Sequence, residues 1–362
     1  MTSVRYTQIV QMLLNQRREL KSPVRLPDEH TLAAQYSVAR DTVRRALRVL
    51  EEQEAVVRRP RRGTYLQPLR ISIVESLKGK AIGFVPPWWA DSTTAWHTST
   101  VFEGISKWAD EQACHISVLH AQEHPVNEDD WLQQVRERKV VGLIWLNPQS
   151  QQMPLVRRAA KIFPVVVAGR CESGEGIYSI SPDWEQAAQL LDDRLVSLGH
   201  KTYAVLAKDI ISTWGQTWVR ALTQVYAKRS ARFDHVTQFI DPKPFSERRL
   251  STLLFDVFMD NRTTVQAFLL TSSSYLEHLT PDPRFRERLG RDISIVTTDY
   301  GLYPMQSYLP GVQFDHVTCD WPEVGRQAAS RLAQVVAGQD VPYQQTLPVR
   351  FVPGQSCAPF KE

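Results

Sequence analysis

The sequence predicts two folded parts: an N-terminal α+β module of three helices closed by a β-hairpin, and a larger C-terminal α/β domain with parallel sheets in two lobes. Three observations carry this. Apolar residues recur at helical spacing three times before residue 52, then give way to two short β-prone runs around a Pro/Gly turn. Beyond residue 80, apolar strands alternate with helical stretches, the pattern of parallel sheets covered by helices. Charge also divides. Residues 1–70 hold 14 Lys+Arg against 7 Asp+Glu, while the rest of the chain holds 29 against 32. A basic end on a mildly acidic body points to a polyanionic partner for that end alone.

The 362 residues are enough for two or three domains, and 43% hydrophobic with 23% charged residues is ordinary globular composition. Apolar runs such as Val140–Leu146 are too short to cross a bilayer, so no membrane partner is expected. The start, Met1 to Gln8, carries no apolar core behind Arg5, and no secretory leader is expected. Cys114, Cys171, Cys319 and Cys357 are scattered, without a Cys-x-x-Cys pair or a His at metal-ligand spacing. The expected compartment is the reducing cytoplasm, with no metal and no cofactor.

In the first part, Tyr6, Ile9, Val10, Leu13 and Leu14 give a helix over about residues 4–18. Pro27, Asp28 and Glu29 open a second: proline is tolerated in the first turn, and acids suit the positive dipole end. Leu32 and Tyr36 supply its inward face. After Ser37-Val38, a third helix turns Val43, Ala46, Leu47 and Leu50 inward at i, i+3, i+4 and i+7. Its outward face carries Arg40, Arg44 and Arg48 in one row, with Asp41 and Arg45 beside them. Such a face can be a solvated basic stripe. On the second helix of a helix-turn-helix, it is the surface that enters a major groove. Val56 to Leu66 then reads as a hairpin with four arginines near its tip, a wing able to touch phosphates or the minor groove.

Over residues 4–67 this resembles the GntR family of bacterial winged-helix repressors. The resemblance rests on Leu26-Pro27, Leu32-Ala33, the run Val38 to Leu47, and Arg62-Gly63-Thr64-Tyr65. It implies double-stranded operator DNA as partner, with Arg40, Thr42, Arg44 and Arg45 on the recognition helix, His30 before it, and Arg62 and Gly63 in the wing. Whether an arginine reads guanine or neutralises phosphate is open at this stage. Three positions depart from the family. Ala39 stands where a capping Ser is usual, His30 where a DNA-contacting Arg is frequent, and Arg61 where a wing glycine is common.

In the body, strands are expected at Ala81–Val85, His115–His120, Val140–Leu146, Val165–Ala168, Tyr203–Ala207, Ala267–Leu270 and Ile293–Thr297. Helices are expected at Val101–Gln112 and Trp184–Leu198. About 280 residues is generous for one such sheet, hence two lobes. Several segments resemble the effector domain of the LacI/GalR regulators, itself akin to periplasmic binding proteins. They are Ala81 to Pro86, Val165 to Arg170, Asp183 followed by Leu198-Gly199-His200, Ile293 to Asp299, and Val324 to Ala329. The expected organisation is residues 1–67 as winged helix, 68–80 as linker and 81–362 as effector-binding domain.

In open parallel sheets, ligands lie at the carboxyl ends of strands. That rule selects Trp88, Trp89 and Trp96 on the loop after the first strand, Asn147 and Arg170 after two others, and Asp299. Indole faces for stacking, with Asp, Asn and Arg for hydroxyls, suit a carbohydrate effector. Trp88 and Trp89 could instead form a dimer contact, Arg170 an interlobe ion pair, and Gly199-His200 a turn with a structural histidine. Trp214 falls where the family usually has an effector-binding Arg, and Ser272-Ser273 replaces a usual Asn-Asp. Both exchanges favour a less charged ligand, a neutral sugar or glycoside.

An enzyme is the competing reading, since some GntR-type proteins carry an aminotransferase-like body with a pyridoxal-phosphate lysine. This body lacks the length for that fold, and Lys201 and Lys208 have no accompanying motif. No Gly-x-Ser-x-Gly, P-loop or His-Glu-x-x-His is present, and no catalytic residue is expected. A second alternative makes the body a dimerisation domain only. The expected mechanism is a homodimer on a pseudo-palindromic operator, with ligand changing the dimer geometry and, by resemblance, relieving repression.

Overall fold

The structure is a computed structural model that describes residues 3–17, 20, 23–53, 55–59, 62–67, 77–87, 92–121, 127–169, 174, 176–200, 203–206, 213–229, 239–240, 267–271, 282–299 and 309–361. The chain divides into two compact units, Met1–Ser76 with Ala337–Gln339, and Leu77–Val336 with Asp340–Glu362.

In the first unit, α1 (Ser3–Arg17) buries Ile9, Val10 and Leu13. Strand β1 (Val24–Arg25) precedes α2 (Glu29–Gln35) and α3 (Arg40–Glu52). Asp28 is the N-cap of α2, its side chain accepting from the Thr31 N–H at 2.8 Å. Pro27 therefore stands one residue ahead of the cap, not inside the first turn. That hydrogen bond to Thr31 holds the Asp28 carboxyl below the usual aspartate range. Ala39 caps α3 with no side-chain hydrogen bond, as its methyl group dictates. Val43, Ala46, Leu47 and Leu50 are fully buried, on the four positions expected. Strands β2 (Val56–Arg59) and β3 (Gly63–Leu66) form the antiparallel hairpin, with Val56 opposite Leu66 and Arg59 opposite Gly63. The sequence reading missed β1, which pairs with β3 on its other side. Two residues are too few to show an alternation.

The second unit holds two six-stranded sheets. The first contains β4 (Ala81–Val85), β5 (His115–Val118), β6 (Val140–Leu146), β7 (Val165–Ala168), β8 (Ile177–Pro182) and β14 (Gln344–Leu347). Its order is β14-β8-β7-β6-β4-β5, parallel throughout. The second contains β9 (Ala204–Leu206), β10 (Phe239–Ile240), β11 (Ala267–Leu270), β12 (Ser294–Thr298), β13 (Asp315–Thr318) and β15 (Arg350–Val352). Its order is β10-β9-β11-β12-β13-β15, with only the last pair antiparallel. The interior strands are almost wholly buried, which explains their continuous apolar runs. The helices are α4 (Ser92–Glu111), α5 (Glu128–Glu137), α6 (Met153–Ala160), α7 (Trp184–Ser197), α8 (Thr213–Arg229), α9 (Pro283–Arg288) and α10 (Trp321–Val336).

Three expected strands are adjusted, the first being β5, which ends at Val118 and not at His120. Tyr203 precedes β9, its hydroxyl donating to buried Asp192 at 2.6 Å, and β12 begins one residue later than expected. Strands β8, β10, β13, β14 and β15 were not anticipated. Ser179, Ser181, Asp315 and His316 interrupt their apolar pattern, and β10 is only two residues long.

The chain crosses between the sheets three times. Asp183 leads from β8 into α7, which packs on the second sheet. Cys319-Asp320 leads from β13 into α10, which returns to the first sheet against α4. Pro348-Val349 leads from β14 to β15. The first and third crossings are tied together. The Asp183 N–H donates to the Leu347 carbonyl at 2.8 Å, and the Val349 N–H donates to Gln186 Oε1 at 3.0 Å. Helices α4 and α10 meet at the backbone. A Cβ on Gly104 would collide with the Pro322 carbonyl, and one on Gly325 with the Val101 carbonyl.

Candidate nucleic-acid interface and effector site

On α3 the inward stripe of Val43, Ala46, Leu47 and Leu50 leaves Arg40, Arg44, Arg45 and Arg48 exposed. These arginines do not share one environment. Arg40 Nε donates to Glu29 Oε2 at 3.2 Å. Arg44 places Nη2 3.4 Å from the same oxygen and Nη1 3.5 Å from Asp41 Oδ1. Arg45 lies over the Tyr6 ring, 4.3 Å from its centroid, in a cation–π contact with α1. Thr42 is buried with the core residues, so it lacks the exposure of its neighbours. His30 is exposed at the start of α2.

In the wing, Arg58 reaches Glu51 Oε2 at 3.2 Å, and Arg59 lies over Tyr65 at 5.0 Å. Arg62 is exposed at the turn, its backbone N–H closing on the Arg59 carbonyl at 3.0 Å. Gly63 has φ +101°, a conformation open to glycine, and a Cβ there would come within 2.9 Å of Arg25 Nε. The wing thus needs glycine for both its backbone and its contact with β1.

In the second unit, Asn147 follows β6 with φ 43°, a left-handed conformation that asparagine tolerates better than most residues. Its N–H donates to the Ala168 carbonyl at 3.1 Å, and its Oδ1 occupies the space a side chain on Gly169 would need. Trp96 lies on α4, not on a loop, because that helix begins at Ser92. Its side chain is half-buried. Trp214 lies in the first turn of α8. Trp88, Trp89, Arg170 and Ser272-Ser273 fall outside the described residues.

Asp299 follows β12 and is buried. Its Oδ2 accepts from Thr318 Oγ1 at 2.6 Å, Trp321 Nε1 at 2.8 Å and the Cys319 N–H at 3.4 Å. Burial raises the carboxyl above the usual aspartate range, opposed by those three donors. Burial and the nearby Asp299 and Asp320 charges push the Cys319 thiol up to about 12, so it stays protonated. Trp321 meets His97 edge-on, with ring centroids 4.4 Å apart, and Trp184 at 6.1 Å; Trp184 meets Trp218 at 5.4 Å. His97 is fully buried, and that desolvation lowers its pKa to about 3. The sequence reading did not name His97, Thr318 or Trp321. His97 and Trp321 belong to the helices that follow β4 and β13, and Thr318 is the last residue of β13, whose pattern is not apolar. His200, expected to be structural, is buried with Nε2 at 3.0 Å from Ser294 Oγ and 2.9 Å from the Ala358 carbonyl.

Among the described residues no group of His, Cys, Asp and Glu could hold a metal ion, and no helix is long and apolar enough to cross a membrane.

Residues 5–66 match the family model described as bacterial regulatory proteins, gntR family. Residues 80–215 match the one described as periplasmic binding proteins and sugar binding domain of LacI family. No curated protein sequence matches the chain. Among solved structures, the lac repressor dimer bound to operator and the anti-inducer ONPF is similar at TM-score 0.60 and 19% identity, over 78% of this chain and 95% of that one. The transcription regulator CcpA of Lactococcus lactis is similar at TM-score 0.61 and 14% identity, over 77% and 100%. GanP, a glucose-galactose binding protein from Geobacillus stearothermophilus, is similar at TM-score 0.59 and 18% identity, over 76% and 97%. At these identities the likenesses establish the two-lobed fold. The chain joins a GntR-family winged-helix DNA-binding domain to a LacI-type, periplasmic-binding-protein-like effector domain, and so has the composition of an effector-controlled transcription regulator.

Proposed function

We propose that the protein is a cytoplasmic repressor that binds operator DNA as a homodimer and releases it when a neutral sugar or glycoside enters the body. Residues 1–67 are the winged helix, 68–80 the linker and 81–362 the effector-binding domain. The observation that carries the reading is the exposed row Arg40, Arg44 and Arg48 on α3, beside a wing bearing Arg58, Arg59 and Arg62. A row of cations one helical turn apart matches a phosphate-lined groove, and the recognition-helix position gives it access to base edges. Among similar structures, the lac repressor is a dimer on operator carrying a small ligand, which supports the same assembly here.

The effector enters at the carboxyl ends of the strands, near Asn147, Trp96 and Asp299, with Trp88, Trp89, Arg170 and Trp214 as further contacts. The half-buried Trp96 indole and the buried Asp299 carboxylate are the side-chain types that suit stacking on a sugar ring and hydrogen bonding to its hydroxyls. Ligand changes the DNA affinity only in so far as it binds one lobe arrangement better than the other. The protein is read as a regulator and not a catalyst.

Selection from a random-sequence duplex library, followed by gel-shift titration of the recovered duplex, tests the DNA half. Thermal melting against neutral sugars, glycosides and nucleosides tests the effector half. A raised melting temperature with one sugar, together with release of the selected duplex, is the expected result. Recovery of no preferred duplex would sink the repressor reading. Retained DNA binding with no melting shift across the panel would assign the body to dimerisation alone.

A further inference from the structure

Glu29, the first residue of α2, sits where three guanidinium groups from two other elements converge. Its Oε2 accepts from Arg40 Nε at 3.2 Å and lies 3.4 Å from Arg44 Nη2, while its Oε1 lies 3.9 Å from Arg58 Nη1 on β2. The Glu29 side chain is 20% exposed, whereas those of Arg40, Arg44 and Arg58 are 62%, 47% and 42% exposed. A mostly covered carboxylate thus lies under an outward shell of cations. Without it, three positive groups would repel each other at the surface that meets DNA.

The contacts divide the arginines by the edge each has left. Arg44 has both terminal nitrogens engaged, Nη2 on Glu29 and Nη1 on Asp41. Arg58 divides Nε and Nη1 between Glu51 and Glu29. Arg40 is engaged through Nε alone, so among the described residues its Nη1 and Nη2 make no hydrogen bond. An Nη1–Nη2 edge is a two-donor fork matching O6 and N7 of guanine. Exposed ion pairs add little to stability, so the geometry, and not the binding energy, is where Glu29 acts.

We propose that Glu29 is a positioning residue for DNA reading: it grips Arg40 by Nε and turns the terminal fork of that arginine toward a base edge, while holding Arg44 and Arg58 as phosphate-facing charges. This rests on the DNA-binding reading above and adds which arginine carries sequence discrimination.

The test uses the full-length protein, a duplex it selects from a random library, and a scrambled duplex of equal composition. The readout is the ratio of the two dissociation constants at fixed salt. Glu29→Gln is expected to lower that discrimination about tenfold by weakening the selected complex, while the lost negative charge tightens both complexes alike and leaves the ratio untouched. In an Arg40→Ala background, Glu29→Gln should change the ratio no further, because the effect runs through Arg40. Arg40→Lys, which keeps the charge but loses the fork, should lower it by a similar factor. An unchanged ratio in folded Glu29→Gln overturns the proposal, and so does an equal loss in the Arg40→Ala background. Should Glu29→Gln fail to fold by circular dichroism, an unchanged ratio in Arg40→Lys overturns it instead. If the wild-type protein selects no duplex, both this proposal and the repressor reading fall; if it selects one and Glu29→Gln discriminates equally well, only this one does.

Discussion

The indole N–H of Trp321 donates to Oδ2 of Asp299 across 2.8 Å, joining the first residue of α10 to the residue that follows β12. With Thr318 on the same oxygen, the carboxylate ties both sides of the second crossing between the sheets to the end of β12. Asp299→Ala should therefore do two things. It leaves the buried Trp321 indole N–H without its acceptor and the Thr318 hydroxyl with only the Cys319 carbonyl at 3.4 Å, lowering unfolding free energy by about 1–3 kcal/mol in urea titration. It should also weaken the sugar that raises the melting temperature of the wild type. A variant as stable as wild type would show that the crossing does not depend on this tie.

His97 gives the protein an acid sensitivity with a defined window. Burial holds its folded-state pKa at about 3, against 6.5 for an exposed imidazole. Below pH 6.5 the unfolded chain takes up a proton that the folded chain refuses, so stability falls as pH drops from 6.5 toward 3. The slope is at most about 1.4 kcal/mol per pH unit, and this group contributes none above pH 6.5. His97→Gln should flatten that part of the curve, as read from melting temperatures between pH 4.5 and 8. A wild-type profile no steeper than the variant's would mean that the imidazole is protonated in place.

At Gly104 a methyl group has nowhere to go, since the Pro322 carbonyl fills its position. Gly104→Ala should push α4 and α10 apart and cost about 1–3 kcal/mol of stability. Because α10 starts at Trp321, the same change should loosen effector response while operator selection stays normal. Unchanged denaturation midpoints would indicate that the helices slide to make room.

Arg45, by contrast, is anchored. With its guanidinium over Tyr6, Arg45→Ala should cost roughly 0.5–1 kcal/mol of winged-helix stability. Its effect on the ratio between selected and scrambled duplexes should be smaller than that of Arg40→Ala. Equal losses of discrimination would place Arg45 among the base readers.

Some of this architecture is legible in the sequence. Val43, Ala46, Leu47 and Leu50 were legible because a 3.6-residue period directly reports a buried helical face. Strands β4, β6, β7 and β11 were legible because burial on both faces writes an unbroken apolar run. Strand β13 was not, since Asp315 is buried there through a 2.8 Å ion pair with Arg194, and such partners are invisible to hydropathy. Asp299 could be picked out by its place at a strand end. The partners that define its surroundings, Thr318 and Trp321, come from beyond it in the chain and are brought in only by the crossing. Likewise, Arg40, Arg44, Arg45 and Arg48 could be named from spacing. Their differing roles depend on Glu29 and Tyr6, which no periodicity links to them.

The three crossings also set an order of events during synthesis. The winged helix has its last strand by Leu66, whereas the first sheet of the body is closed by β14, at Gln344–Leu347, and is covered by α10. Neither lobe is a continuous stretch of chain. At about 5–20 residues per second, the ribosome adds the intervening segment over on the order of tens of seconds. Through that interval the nascent chain carries all three strands of the winged helix and an incomplete body. The β8 edge waits for its partner strand, and the face that α10 will cover is open to solvent. A nascent chain stalled before residue 320 thus holds every strand of the winged helix but lacks α10, β14 and β15 of the body.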